Sequence, residues 1–177
     1  MTQNQPISLQ QTAMYFGTLM GLFWIIKFTF LPLGFTIPLL QLLFVLLTFF
    51  VPILGYLYAR KFRNRYCEGT ITFSRAFAFT VLMYLFAALL AAVAHYIYFR
   101  YIDNGFLIDS YIGQLEAMKP TATEELKESI DQFIEGFSLI SSLSPIQLTF
   151  QLISQNFLYG TLLALPTALL VMRRKRQ

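Results

Sequence analysis

The sequence predicts an all-α integral membrane protein, a four-helix bundle of two hairpins with an amphipathic helical insertion on the outer side between spans three and four. Three observations carry that prediction. Four apolar stretches, about 12–31, 36–58, 73–99 and 145–172, each approach or exceed the roughly 20 residues a helix needs to cross a hydrocarbon core. Charged residues make up 12% of the chain against 56% hydrophobic ones, where a soluble domain carries about 25% charged. Basic residues also gather at two places next to the apolar stretches, which is the signature of oriented spans.

The first stretch contains Gly17-x-x-x-Gly21, small residues one turn apart that allow a second helix backbone to come close. Pro32, Gly34 and Pro38 punctuate a tight turn into the second stretch, where Pro52 predicts a kink. Thr70-Ile71-Thr72-Phe73-Ser74 offers hydroxyls to cap the start of the third. Ala87, Ala88, Ala91 and Ala92 then place small residues on its packing face. Gly160 and Pro166 predict a kink in the fourth. Phe16–Phe23 and Phe79–Phe86 share Phe, Leu, Met, Leu and Phe in register, as two parallel hairpins related about the membrane normal would.

Between spans three and four, residues 100–144 hold eight of the nine acidic residues and only three basic ones, Arg100, Lys119 and Lys127. Thr121 with Glu124 reads as a capping box, followed by Leu126, Ile130, Phe133, Ile134 and Phe137 on one helical face. Glu125, Glu128, Asp131 and Glu135 occupy the other, an acidic face better suited to covering the bundle than to lying on lipid. Phe106–Met118 is patterned more weakly.

Orientation follows from charge. Arg60, Lys61, Arg63 and Arg65, with Arg75 behind them, lie between spans two and three, and Arg173, Arg174, Lys175 and Arg176 near the end of the chain. Basic flanks of short loops stay cytoplasmic, so both termini are expected inside and the acidic segment outside. The net charge of +4 is thereby a topology signal and a rim for anionic lipid headgroups, not a nucleic-acid surface. Met1–Gln11 has no Lys or Arg and no small-residue cleavage pattern follows, so the first stretch reads as a retained span and not as a signal peptide.

Polar residues within spans are costly and therefore informative. Lys27, Gln41, His95, Gln147, Gln151, Ser154 and Gln155 all fall toward the outer side, with Asn156 near mid-depth. Two readings are open. They line an outward-facing polar cavity, with Lys27 pairing a carboxylate or phosphate. Alternatively Lys27 snorkels to the interface, His95 sits among headgroups and the glutamines bond between helices. Asp103 is the carboxylate best placed to meet Lys27 or Arg100. One histidine and one cysteine, Cys67, exclude multi-His or Cys metal clusters, and no phosphate loop, nucleophile elbow or zinc-protease pattern occurs. We expect no cofactor and no catalytic set.

Thr72-Phe73-Ser74-Arg75-Ala76-Phe77 opens span three and Tyr98-Phe99-Arg100-Tyr101-Ile102-Asp103 closes it. With the acidic insertion and the Arg/Lys tail, this order resembles the DUF4199 family of small four-span Bacteroidota proteins. The resemblance implies a bacterial inner membrane and supplies no catalytic residues. It also implies a place beside polyprenyl-phosphate glycosyltransferases in envelope biogenesis. The resulting expectation is a non-enzymatic accessory or scaffold subunit that contacts membrane lipids and either another membrane protein or a second copy. The alternative is a protein that binds or transports a lipid or small ligand through the outer cavity.

Overall fold

The computed structural model describes residues 8–173 and is all-helical there. Its six α-helices are α1 (Leu9–Gly34), α2 (Pro38–Tyr66), α3 (Phe73–Tyr101), α4 (Phe106–Met118), α5 (Glu124–Ser141) and α6 (Pro145–Val171). Among the described residues, α1, α2 and α3 are long and apolar enough to cross a membrane. Helix α6 matches them in length, but Gln147, Gln151, Ser154, Gln155 and Asn156 dilute its first half. The chain divides into two compact units, Met1–Ala92 with Ile153–Gln177, and Val93–Leu152, so α3 and α6 each begin in one and end in the other.

In the first unit each helix starts where its sequence provides a cap. Ser8 and Gln11 form a reciprocal capping box on α1. Pro38 opens α2 in the first turn, where its missing amide costs nothing. The Thr72 hydroxyl accepts from the Arg75 amide at 3.4 Å to start α3.

The glycine pair of α1 seats on α3. A Cβ on Gly17 would lie 2.6 Å from the Phe86 Cβ, and one on Gly21 would lie 3.1 Å from the Ala87 carbonyl oxygen. Moving up α1 thus moves up α3, so the two helices run side by side in the same direction. Ala87, Ala88 and Ala91 are wholly buried and Ala92 nearly so. The small residues are therefore used for packing inside the chain. Toward the start of α1, aromatic rings close the core: Phe62 stacks on Phe79 with centroids 4.1 Å apart, and Phe16 meets both Tyr58 and Phe79.

The basic ends converge here. Ile71 and Arg173 exchange backbone hydrogen bonds, both 2.9 Å, and the Arg63 guanidinium donates to the Val171 carbonyl at 3.0 Å. That bond satisfies one of the carbonyls a helix C-terminus leaves open. Lys61 lies over the Phe16 ring and Arg75 over Phe62. The end of α2, the start of α3 and the end of α6 thus share one end of this unit. Arg174, Lys175 and Arg176 lie outside the described residues.

Cys67, just past α2, is buried, and burial pushes its thiol up against the opposing pull of Arg75. Less thiolate is then present at any given pH than on a free cysteine. Maleimide labelling at pH 7 is expected to be at least about tenfold slower than at a Glu68→Cys site in a Cys67→Ser background, with the onset displaced to more alkaline pH. Equal rates and equal pH dependence would show that this turn is open.

In the second unit, Tyr111 of α4 stacks on Phe137 of α5 at 5.3 Å, and Lys119 pairs with Asp131. Of the expected apolar stripe on α5, Ile130 is buried while Leu126 and Phe133 are exposed. The helix start differs from expectation. Thr123 is the residue before α5, and Thr121 sits in a 3-10 turn, Lys119–Thr121, where its hydroxyl turns back to the Met118 carbonyl. Pro120 favours this tight turn, which delays the α-helix by two residues.

Candidate functional site: a polar pocket between helices

Within the first unit a cavity of about 210 Å³ is lined by Trp24 and Lys27 of α1, Thr48, Val51 and Pro52 of α2, and Asn156, Tyr159, Gly160 and Leu163 of α6. The packing behind Trp24 and Gly160 has a clear origin in the sequence. Tyr84 of α3 is fully buried and reaches toward α2, its hydroxyl 3.5 Å from the Val51 carbonyl. It fits because Gly55 and Gly160 have no side chains: a Cβ on Gly55 would lie inside van der Waals contact of the Tyr84 hydroxyl, and one on Gly160 would lie 2.6 Å from the Tyr84 Cβ. Trp24 stacks on the other side of Tyr84, ring centroids 5.9 Å apart and nearly parallel. Pro52 lies inside α2 beside the cavity and lacks the amide that would bond the Thr48 carbonyl.

Lys27 extends into this place. Its ammonium donates to the Thr48 hydroxyl at 3.4 Å and lies 5.0 Å over the Phe44 ring. Lys27 is seven residues before Gly34, so its Cα lies about 10 Å from the end of α1, and Thr48 lies about 15 Å along α2. A snorkelling lysine would reach toward the helix end. Here the Cα–Cβ bond points toward the helix N-terminus, deeper into the span, and the ammonium is level with Phe44 and Thr48. The Thr48 hydroxyl already donates to the Phe44 carbonyl at 2.8 Å, so toward Lys27 it only accepts.

Trp24 is 8% exposed, and its indole N–H has no hydrogen-bond partner among the described residues. A buried donor left unmade costs about 1–3 kcal/mol. Tyr159 is 58% exposed and Thr48 is exposed, so the cavity opens sideways, between α2 and α6.

The residues expected to line an outer cavity fall in both units. Lys27 is in the pocket. Gln41 packs against Gly34 in the turn between α1 and α2. Ser154 and Gln155 are exposed on α6 ahead of Asn156. In the second unit His95 is buried and Gln151 exposed. The Gln147 side chain accepts from the amide and hydroxyl of Ser144 at 2.8 Å each, capping the start of α6. Ser144-x-x-Gln147 is a capping-box spacing, and that signal was open to reading. Trp24, Thr48 and Tyr159 carried no such signal, because an aromatic or threonine within an apolar helix looks like packing.

Asp103 caps a helix in place of an ion pair. Its carboxylate accepts from the Leu107 amide at 3.0 Å and the Gly105 amide at 3.2 Å, and the Tyr98 hydroxyl hydrogen-bonds it as well. Amides at a helix start favour a negative charge. Gly105, at φ +87°, makes the turn that presents them. Asp103→Ala is expected to cost ~0.5–2 kcal/mol, with hydrogen exchange accelerated at the first amides of α4 and unchanged in α1 and α2. Acceleration spread evenly over the chain would contradict a local cap.

The motifs flanking α3 thus cap helices and seat rings. No curated protein and no solved structure matches the chain. The family model described as "Protein of unknown function (DUF4199)" matches residues 15–173, nearly the whole chain. The chain therefore belongs to the DUF4199 family.

Proposed function

We propose that this is a four-span protein of the bacterial cytoplasmic membrane, both termini inside, that binds a lipid or small ligand in a polar pocket at span depth and catalyses no reaction. The observation that carries the reading is the pocket itself: a lysine held below the helix end, facing a cavity, beside a tryptophan N–H without a partner. The topology rests on the basic residues at one end of the first unit, with α6 as the fourth span. Native mass spectrometry from mild detergent tests the binding reading. Wild type is expected to retain a stoichiometric small adduct that Thr48→Trp, which fills the pocket, does not retain. A wild-type protein that carries no adduct and takes up none from added lipid extract would refute it.

A second reading has its own support. An accessory subunit of an envelope-biogenesis complex, associated with polyprenyl-phosphate glycosyltransfer, needs a face for its partner. The small-residue faces are already buried within the chain, which leaves α5, where Phe133 and Leu139 are exposed beside the acidic residues. A photoreactive residue at Phe133 in intact membranes decides this. A reproducible crosslink to one other membrane protein supports it, and crosslinks to lipid alone refute it.

A further inference from the structure

The charge on Lys27 has no counterpart in the spans. None of α1, α2, α3 and α6 contains an Asp or a Glu, and the ion pairs among the described residues, Lys119–Asp131 and Lys127–Glu124, lie in the insertion. A cation in the hydrocarbon region is expensive without a partner. The Lys27 ammonium has three donors, and the structure shows one protein acceptor for them, the Thr48 hydroxyl. The Trp24 indole N–H beside the cavity is a further donor, while the acceptors there are neutral, the Tyr159 hydroxyl and the Thr48 carbonyl that Pro52 leaves without its helical amide. Asn156 adds an amide that can either donate or accept. Cation and donors without a carboxylate make an anion site.

Size and opening narrow the ligand. Pockets that enclose a drug-sized molecule hold about 300–1,000 Å³, and this one holds about 210 Å³. It accepts a compact charged group and leaves the rest of the molecule outside. The opening, past exposed Thr48 and Tyr159, lies at span depth, where the surroundings are acyl chains. We infer that the pocket binds an amphiphile whose compact anionic group, a carboxylate or phosphate, pairs with Lys27 while its chain lies along α2 and α6 in the bilayer. The inference rests on the pocket's being a ligand site and adds the charge and class of the ligand.

Trp24 is the only tryptophan in the chain, so intrinsic fluorescence reports from the pocket wall. The full-length protein in phosphatidylcholine nanodiscs is titrated with 9,10-dibromostearate or brominated phosphatidic acid, and separately with brominated phosphatidylcholine. The expected result is saturable quenching of Trp24 by the anionic probes at a mole fraction at least about tenfold lower than by the zwitterionic one, a preference of about 1.4 kcal/mol. Lys27→Met should abolish the preference and Lys27→Arg retain it. Saturable quenching by all probes alike, or an unchanged preference in Lys27→Met, would overturn the anionic assignment while leaving a lipid-binding pocket standing. No saturable quenching by any probe would remove the pocket reading as well. Millimolar inorganic phosphate or acetate is the remaining arm. If either ion alone shifts the emission and displaces the brominated probes, the ligand is a soluble anion and the amphiphile is ruled out.

Discussion

Gly160→Ala is expected to destabilise the protein by ~1–2 kcal/mol, although alanine is the better helix former. The helix term favours alanine by about 1 kcal/mol. Against it stands the added Cβ, 2.6 Å from the Tyr84 Cβ and 2.9 Å from its Cγ. Those atoms are the root of a wholly buried ring, held from the other side by Trp24 and at its tip by Gly55. They have little room to yield, and overpacking a tight core costs about 1–3 kcal/mol. Gly136→Ala is the control, since nothing lies within 4 Å of a Cβ there, and it should be neutral or stabilising. Unfolding followed by a thiol-reactive dye at buried Cys67 compares the two. A Gly160→Ala protein as stable as wild type would mean that Tyr84 is not held as described, and the wall of the pocket would have to be redrawn.

Lys27→Met should separate what the lysine costs from what it does. In delipidated protein in a neutral detergent, replacing this partly buried, unpaired charge by an apolar side chain of similar length is expected to be neutral or stabilising. Addition of an anionic amphiphile at 100 times its dissociation constant should stabilise wild type by about 2.7 kcal/mol and leave Lys27→Met unchanged. The order of stability of the two proteins then reverses or narrows with ligand. A variant less stable than wild type under both conditions would make Lys27 a structural residue, held for its contacts with Thr48 and Phe44.

Hydrophobic periodicity and length made most of the fold legible in the sequence. The three most apolar stretches became α1, α2 and α3; α2 starts two residues later than expected and runs eight further, to Tyr66, since the polar end of such a helix is helical without being apolar. Gly17 and Gly21 stand out in the sequence because only a bare backbone allows so close an approach, and a Cβ on either would meet α3. What the sequence did not disclose is which helix they meet. Local competition decided where two polar residues bond. Asp103 accepts from amides two and four residues away, and Gln147 accepts from Ser144. The pocket was half legible. Lys27 stood out as a charge in an apolar helix, but its direction depends on the Cα–Cβ vector and on Thr48, and the cavity depends on Trp24, Thr48 and Gly160 meeting across three helices. Spacing along one chain segment carries no record of such a meeting.

The most direct test is a cryo-electron microscopy map of the protein in native-lipid nanodiscs, with a bound antibody fragment for alignment. Non-protein density is expected in the cavity between α2 and α6, its head within hydrogen-bond distance of the Lys27 Nζ and its tail running along the bundle surface. A map in which Lys27 reaches the headgroup layer and the space beside Trp24 is closed by packed apolar side chains would contradict it.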